Sequence, residues 1–406
     1  MTGRKLWREP DFIKLWAGQT ISQMGSRISR EGIPLAAVLV LGASPLQMGY
    51  LGGASGGAVL LFGLFAGAWA DRLRRRPIMI LTDLGRALAL GSIPLAAILH
   101  RLTMTHLYAA AAMTGILTVL FDVSYQAHVP ALVDEENILE ANSKLALTES
   151  IAEVAGPGLT GVLVQLITAP MAILFDAVSF VVSAVSLSLI RRPETQPIKQ
   201  EDPHILGEIR EGLVVSWRNP ILRAIALRTA TAALFMGFIS SLYMVFAIRE
   251  LRLTPALLGA IISIGGVSSL FGAVVAERLA SRFGVGPSLI GAALLTGVSA
   301  LMVPLAHGSV ALCAAILGAS QLLDMAWPIY SINELTLRQT VTPNHLLGRV
   351  NSAIHLLFQG ILPLGALLGG ALAEVAGMRT TMLIGACGFL LSTLWLIASP
   401  VRSRIK

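Results

Sequence analysis

Charge is what this chain has least of. Of its 406 residues only 13% are Asp, Glu, Lys or Arg, against roughly a quarter in an ordinary soluble domain. With 55% of residues hydrophobic, the chain could not cover a soluble surface with polar groups; it needs lipid as its solvent. Aromatics are scarce at 6%, and no basic patch is interleaved with them, so nucleic acid is not expected as a partner despite a net charge of +7. The two cysteines, Cys313 and Cys387, lie inside apolar runs at no metal-ligand spacing and read as packed thiols. No constellation suits a metal ion, and no nucleotide-binding P-loop occurs. Gly53-Ala54-Ser55-Gly56-Gly57 spells G-x-S-x-G, but a nucleophile elbow needs a strand–turn–helix setting. In an apolar run these glycines, with Gly49, Gly63 and Gly67, read as small-residue helix packing. The chain is therefore not expected to be an enzyme, and it calls for no cofactor.

Long apolar runs are what it has. A bilayer core of about 30 Å needs about 20 apolar residues per helix. Such runs occupy 12–41, 47–70, 78–99, 105–129, 143–168 and 171–190, then 220–249, 257–277, 285–305, 309–337, 347–376 and 378–399. The expected fold is an all-α integral membrane protein of about twelve transmembrane helices in two pseudo-symmetric six-helix bundles. The expected domains are an N-terminal bundle over 1–190, a linker over 191–219 and a C-terminal bundle over 220–406. The first run follows Arg4, Lys5 and Arg8 and is too long for the core of a cleaved signal peptide. The linker opens with Pro193, Pro197 and Pro203. It continues with Ile205, Leu206, Ile209 and Leu213 at helical spacing, beside Glu208, Arg210 and Glu211. That pattern predicts a short amphipathic helix at the membrane surface, with a disordered tether as the alternative.

Basic residues set the expected orientation. With the N-terminus in the cytoplasm, Arg72, Arg74, Arg75, Arg76, Arg191, Arg192, Lys199, Arg210, Arg218, Arg278, Arg282, Arg338 and Arg349 fall inside, joined by Arg402, Arg404 and Lys406. The other side keeps only Arg101, Arg249, Arg252 and Arg379, so both termini are expected to be cytoplasmic. The halves also resemble each other. Ala70-Asp71-Arg72-Leu73 recurs as Ala276-Glu277-Arg278-Leu279; Asn142-Ser143, Gly156 and Gly161 recur as Asn351-Ser352, Gly365 and Gly370; Pro45 and Gly49 echo Pro255 and Gly259. Repeats of this kind point to a secondary transporter with its substrate path between them.

Gly67-Ala68-Trp69-Ala70-Asp71-Arg72-Leu73-Arg74-Arg75-Arg76 resembles the signature loop of the major facilitator superfamily, with Asp71, Arg72, Arg75 and Arg76 on the matching positions. Arg74 replaces the usual glycine, and the second-half copy is degraded, with Ala273 for the glycine and Ser281 at a basic position. Gly18-Gln19-Thr20-Ile21-Ser22, Pro130-Ala131-Leu132-Val133, Ala155-Gly156-Pro157-Gly158, Leu347-Gly348-Arg349-Val350 and the stretch Pro363 to Gly370 resemble the branch of siderophore and macrolide exporters. The fourth run lacks the intramembrane arginine of many proton antiporters. The resemblance implies two bundles around a cavity open alternately to either side, in a bacterial cytoplasmic (inner) membrane.

Charges inside apolar runs are costly and hence functional candidates. Arg27 and Glu31, four apart, can pair; Glu31 is the first candidate for a proton, tuned by Arg27 and Arg30, with a fixed ion pair as the alternative. Asp122 is the expected partner of Arg75 in a cytoplasmic gating latch with Asp71, Arg72 and Arg76, against the alternative of a simple basic anchor. Asp324, Asp176, His355 and Gln359 are candidates for the substrate cavity. Glu149 and Glu153 share a face, and Arg228 is expected to snorkel to the membrane surface. The expected function is export of an amphipathic small molecule by proton antiport, without ATP. Uptake or facilitated diffusion of a metabolite, and a non-transporting sensor or scaffold, are the rivals. The expected partners are the small-molecule substrate, protons and the lipid bilayer; the oligomeric state stays open.

Overall fold

Each long apolar run is helical, most of them as one uninterrupted helix. The computed structural model describes residues 6–70, 74–192 and 205–403. The first six long helices are α1 (Pro10–Leu39), α2 (Pro45–Ala70), α3 (Arg75–Ile98), α4 (Met104–Leu132), α5 (Ile138–Ile167) and α6 (Ala169–Ser188). A short helix, α7 (Ile205–Arg218), precedes α8 (Pro220–Arg249), α9 (Pro255–Phe283) and α10 (Val285–Leu305). The chain continues through α11 (Val310–Leu323), α12 (Ala326–Val341), α13 (Leu347–Ala376), α14 (Met378–Leu391) and the single turn α15 (Leu394–Ile397). Among the described residues there is no strand, and ten segments are long and apolar enough to cross a bilayer. Helix α1 matches them in length but carries Asp11, Lys14, Arg27, Arg30 and Glu31.

The helix ends follow local chemistry. Ser44 and Gln47 form a reciprocal capping box, with Gln47 N–H donating to Ser44 Oγ at 3.3 Å and Ser44 N–H to Gln47 Oε1 at 2.9 Å. Thr254 caps α9 through Leu257 N–H, and Ser309 caps α11 through Leu312 N–H. Pro45, Pro220 and Pro255 each open a helix, where the missing N–H costs nothing. Thr168 after α5 and Gly377 after α13 hold the same left-handed backbone, with φ of 86° and 83°. Glycine adopts that conformation freely, whereas β-branched threonine is strained in it.

Two of the expected runs, 378–399 and 309–337, are interrupted, the first by a turn between Leu391 and Leu394. The run 309–337 is not one helix: it breaks between Leu323 and Ala326. Pro328 supplies the reason, because a proline ring collides with the carbonyl four residues earlier, here Asp324, and offers it no N–H.

The chain divides into two compact units, Met1–Gly42 with Gly57–Pro203, and Ala43–Gly56 with His204–Lys406. In the first unit α1 packs on α5 and α6, and α3 on α4 and α6. The second unit repeats the scheme with α8 on α13 and α14, and α10 on α12 and α14. One core forms around Phe12, Leu15, Met79, Phe121 and Leu187, the other around Ile225, Leu289, Ile329, Val350 and Leu396. Leu88, Leu166, Val274 and Val375 stand exposed, as side chains bathed by lipid do. The first half of α2 belongs to the second unit and lies on α13 with no room for side chains. A Cβ on Gly49 would sit 2.7 Å from the Ala366 carbonyl oxygen, and one on Gly370 would sit 2.8 Å from that of Pro45. At the end of this contact the Glu374 carboxylate accepts from Leu46 N–H at 3.1 Å.

Candidate functional site

The polar centre of the first unit is built on α3. Asp83 and Arg86, three residues apart, share one helix face and pair at 2.5 Å with almost no exposure to solvent. The Arg86 guanidinium lies over the rings of Phe121 on α4 and Phe180 on α6, 4.3 and 4.1 Å from their centres. It also donates to Thr118 Oγ1 at 3.3 Å. Aromatic faces offset part of its desolvation. Two more carboxylates, Asp122 of α4 and Asp176 of α6, lie within its electrostatic reach. Asp176 is 1% exposed. Its Oδ1 accepts from Ser179 Oγ at 3.0 Å, and no cation among the described residues is within ion-pair distance of it. Gly25 of α1 makes this approach possible, since a Cβ there would lie 2.7 Å from Asp176 Oδ1. One guanidinium thus serves three acids.

Beside this centre, Arg27 of α1 reaches α5, at 3.0 Å from Glu153 and 4.0 Å from Glu149. The expected pairing of Arg27 with Glu31 is therefore replaced by one between helices. Gly156, one turn beyond Glu153, admits the Arg27 side chain to this position; any Cβ there would collide with it. Glu31 is half-buried, near Arg30, Arg27 and Glu153, and it makes no ion pair with a described residue.

Only part of the expected latch falls within the described residues. Asp71 and Arg72 lie outside the described residues, as do Pro193, Pro197 and Pro203 of the linker. Arg75 donates to the Ala127 carbonyl at 2.9 Å. Arg76 donates to the carbonyls of Leu187 and Ser188, at 2.8 and 2.5 Å, which terminates α6 as a basic residue suits a helix C-terminus. Asp122 faces Arg86 rather than Arg75. It sits ten residues inside α4 from Leu132, about 15 Å from that end at 1.5 Å per residue, too deep to serve the loop before α3.

The second unit holds a cluster of opposite balance. Arg228 does not snorkel outward: it is 3% exposed and lies 3.8 Å from the centre of the Tyr330 ring, with Phe389 beyond. Two aromatic faces reward turning inward. Glu334, also buried, pairs with Arg338 at 3.6 Å, within electrostatic reach of Arg228. Two cations here face one carboxylate. Asp324 is half-buried at the break between α11 and α12. On α13, His355 is exposed and Gln359 half-buried; the structure joins neither to these clusters.

Asp83, Arg86, Glu334 and Tyr330 were not anticipated. The signal was available, because an acid and a base three or four residues apart inside an apolar run (Asp83 with Arg86, Glu334 with Arg338) announce a pair.

Two helical units, each with a buried polar centre inside an apolar shell, define a membrane transporter. The chain matches the family model of the major facilitator superfamily over residues 15–363 and belongs to that family. It is similar to an uncharacterised transporter of this type, YfiS of Bacillus subtilis, at 29% identity over 95% of this chain and 92% of the relative. It is also similar to the multidrug efflux pump Tap of Mycolicibacterium fortuitum, at 27% over 94% and 93%. The macrolide efflux protein A of Streptococcus pyogenes shares 25% over 92% of each. Among solved structures, a bacterial homologue of the iron transporter ferroportin in an inward-facing state superposes with a TM-score of 0.78 at 22% identity, covering 99% of this chain and 100% of that one. That likeness speaks for the fold alone.

Proposed function

We propose that the protein exports an amphipathic small molecule in exchange for protons, with the proton carried inside the first unit. The observation that carries this reading is Asp176, a carboxylate buried among helices with a hydroxyl partner and no ion pair among the described residues. Arg86 is already engaged by Asp83, so a second negative charge in this interior goes unbalanced. A proton is the smallest ligand that neutralises it. Glu31, near two arginines and Glu153, is the second carrier: its charge can follow whether Arg27 stays with Glu153 or moves to it. Two similar proteins named for efflux, one a multidrug efflux pump and one a macrolide efflux protein, support outward transport. Both termini and α7 are placed in the cytoplasm on the bias of basic residues. The two halves, 1–190 and 220–406, alternate access, and the residues before and at the start of α3 (Asp71, Arg72, Arg75 and Arg76) latch the cytoplasmic end. Asp324, His355 and Gln359 remain candidates for contact with substrate.

The test is transport by the full chain in proteoliposomes under an imposed pH gradient, read with a cationic dye and a macrolide. Glu31→Gln and Asp176→Asn are expected to fold and to keep downhill exchange while losing uphill accumulation. Uphill transport at the wild-type rate in both variants would refute proton coupling through these groups. Accumulation in the direction of uptake would instead favour a metabolite importer.

A further inference from the structure

Helix α7 packs on α13 and α8 of the second unit along one face and borders an open groove along another. At Gly212 it rides so close to α13 that any Cβ would strike the carbonyl of Arg349, and Glu211 there pairs with Arg349 at 2.6 Å. Further along, its apolar face leaves a cavity of about 440 Å³ against α8 and α13, within the size range of ligand pockets. Leu213, Val214 and Trp217 of α7 line it, with Leu227 of α8 and Leu357 of α13 opposite. Two arginines also line it, Arg210 and Arg218, eight residues and so about 12 Å apart along the helix axis. Both are exposed, neither forms an ion pair among the described residues, and no acid among the described residues contributes to the lining. The neighbouring carboxylate of Glu211 is engaged by Arg349. Trp217 is 60% exposed, an amphipathic ring of the kind that anchors at the lipid headgroup level.

We propose that this groove binds an anionic phospholipid, one acyl chain lying in the cavity and the headgroup phosphate held by Arg210 and Arg218. Charge complementarity selects the occupant. An apolar slot rimmed by two uncompensated guanidinium groups on an interfacial helix rejects cationic amphiphiles and leaves a zwitterionic lipid no net attraction, whereas a phosphate on an anionic lipid meets both. The bilayer supplies such lipid at high local concentration, and its binding fills the groove that α7 leaves against α8 and α13.

The proposal is tested on the full chain in nanodiscs of phosphatidylcholine containing increasing fractions of phosphatidylglycerol with brominated acyl chains, which quench nearby tryptophan. The difference in emission between the wild type and Trp217→Phe isolates Trp217. Phosphatidylglycerol is expected to quench Trp217 at low mole fraction, and brominated phosphatidylcholine only in proportion to its bulk amount. In the double variant Arg210→Gln/Arg218→Gln the apparent affinity for phosphatidylglycerol should fall about thirtyfold, two headgroup contacts at about fivefold each or slightly more. Both arginines are exposed, so the variant is expected to fold, which its retained transport or thermal transition checks. Equal quenching by the two lipids overturns the proposal, as does phosphatidylglycerol quenching that survives the double substitution.

Discussion

Removing Arg86 should cost more than removing Arg86 and Asp83 together. The pair is buried on both sides, with side chains 4% and 0% exposed, and breaking such a pair by deleting one partner typically costs about 3–5 kcal/mol. Asp83→Asn leaves Arg86 with its two aromatic faces, Thr118, and the fields of Asp122 and Asp176, so about 3 kcal/mol or less is expected. Arg86→Met strands the fully buried Asp83 and also forfeits the two ring contacts, each worth about 0.5–2 kcal/mol; about 5 kcal/mol follows. In Asp83→Asn/Arg86→Met no charge of the pair is left unbalanced, and about 2 kcal/mol remains for the lost ring contacts, together with the smaller loss of the Arg86 field at Asp122 and Asp176. The assay is unfolding in mixed micelles titrated with sodium dodecyl sulfate and followed by tryptophan emission. A double variant as unstable as Arg86→Met, or costs that simply add, would refute the view that Asp83 is the acid Arg86 chiefly balances.

Three further outcomes follow from the packing. Thr168→Gly, which places in the first half the glycine that stands at Gly377 in the second, should stabilise the protein by about 1 kcal/mol by relieving a β-branched residue at positive φ; a loss of stability in the same titration would contradict it. Gly156→Ala inserts a methyl group against the Arg27 side chain and should cost about 1–3 kcal/mol, with the Arg27 contact to Glu153 lost, visible as non-additivity with Glu153→Gln. Glu374→Ala removes the carboxylate from the N-terminus of α2, worth about 1 kcal/mol; amide exchange at Leu46 to Gly49 should accelerate about fivefold, while that of the corresponding turn of α9 stays unchanged.

The helices themselves were legible along the chain. Runs predicted at 220–249, 285–305 and 347–376 coincide with α8, α10 and α13, because about 20 apolar residues in lipid leave the backbone no partner but itself. The amphipathic helix after Pro203 was legible for the same reason, its apolar residues recurring at helical spacing, and it lies at Ile205–Arg218. Even the break in the run 309–337 was written in Pro328, although length alone suggested continuity.

Which charges meet was another matter. Arg27 and Glu31 share a helix face, yet Arg27 crosses to Glu153, since Gly156 opens a space on α5 that no pattern within α1 reveals. Arg228 looked free to reach the membrane surface from the start of α8, but Tyr330 and Phe389, brought in from α12 and α14, hold it inside. Asp122 and Arg75 seemed matched until the depth of residue 122 within α4 was known. Periodicity and hydropathy are properties of one helix at a time, so they determined where the helices run and which stripe of each is apolar. The partner of a buried charge lies on another helix, at a depth and rotation set by how small residues let helices approach, and only the packed structure decided it.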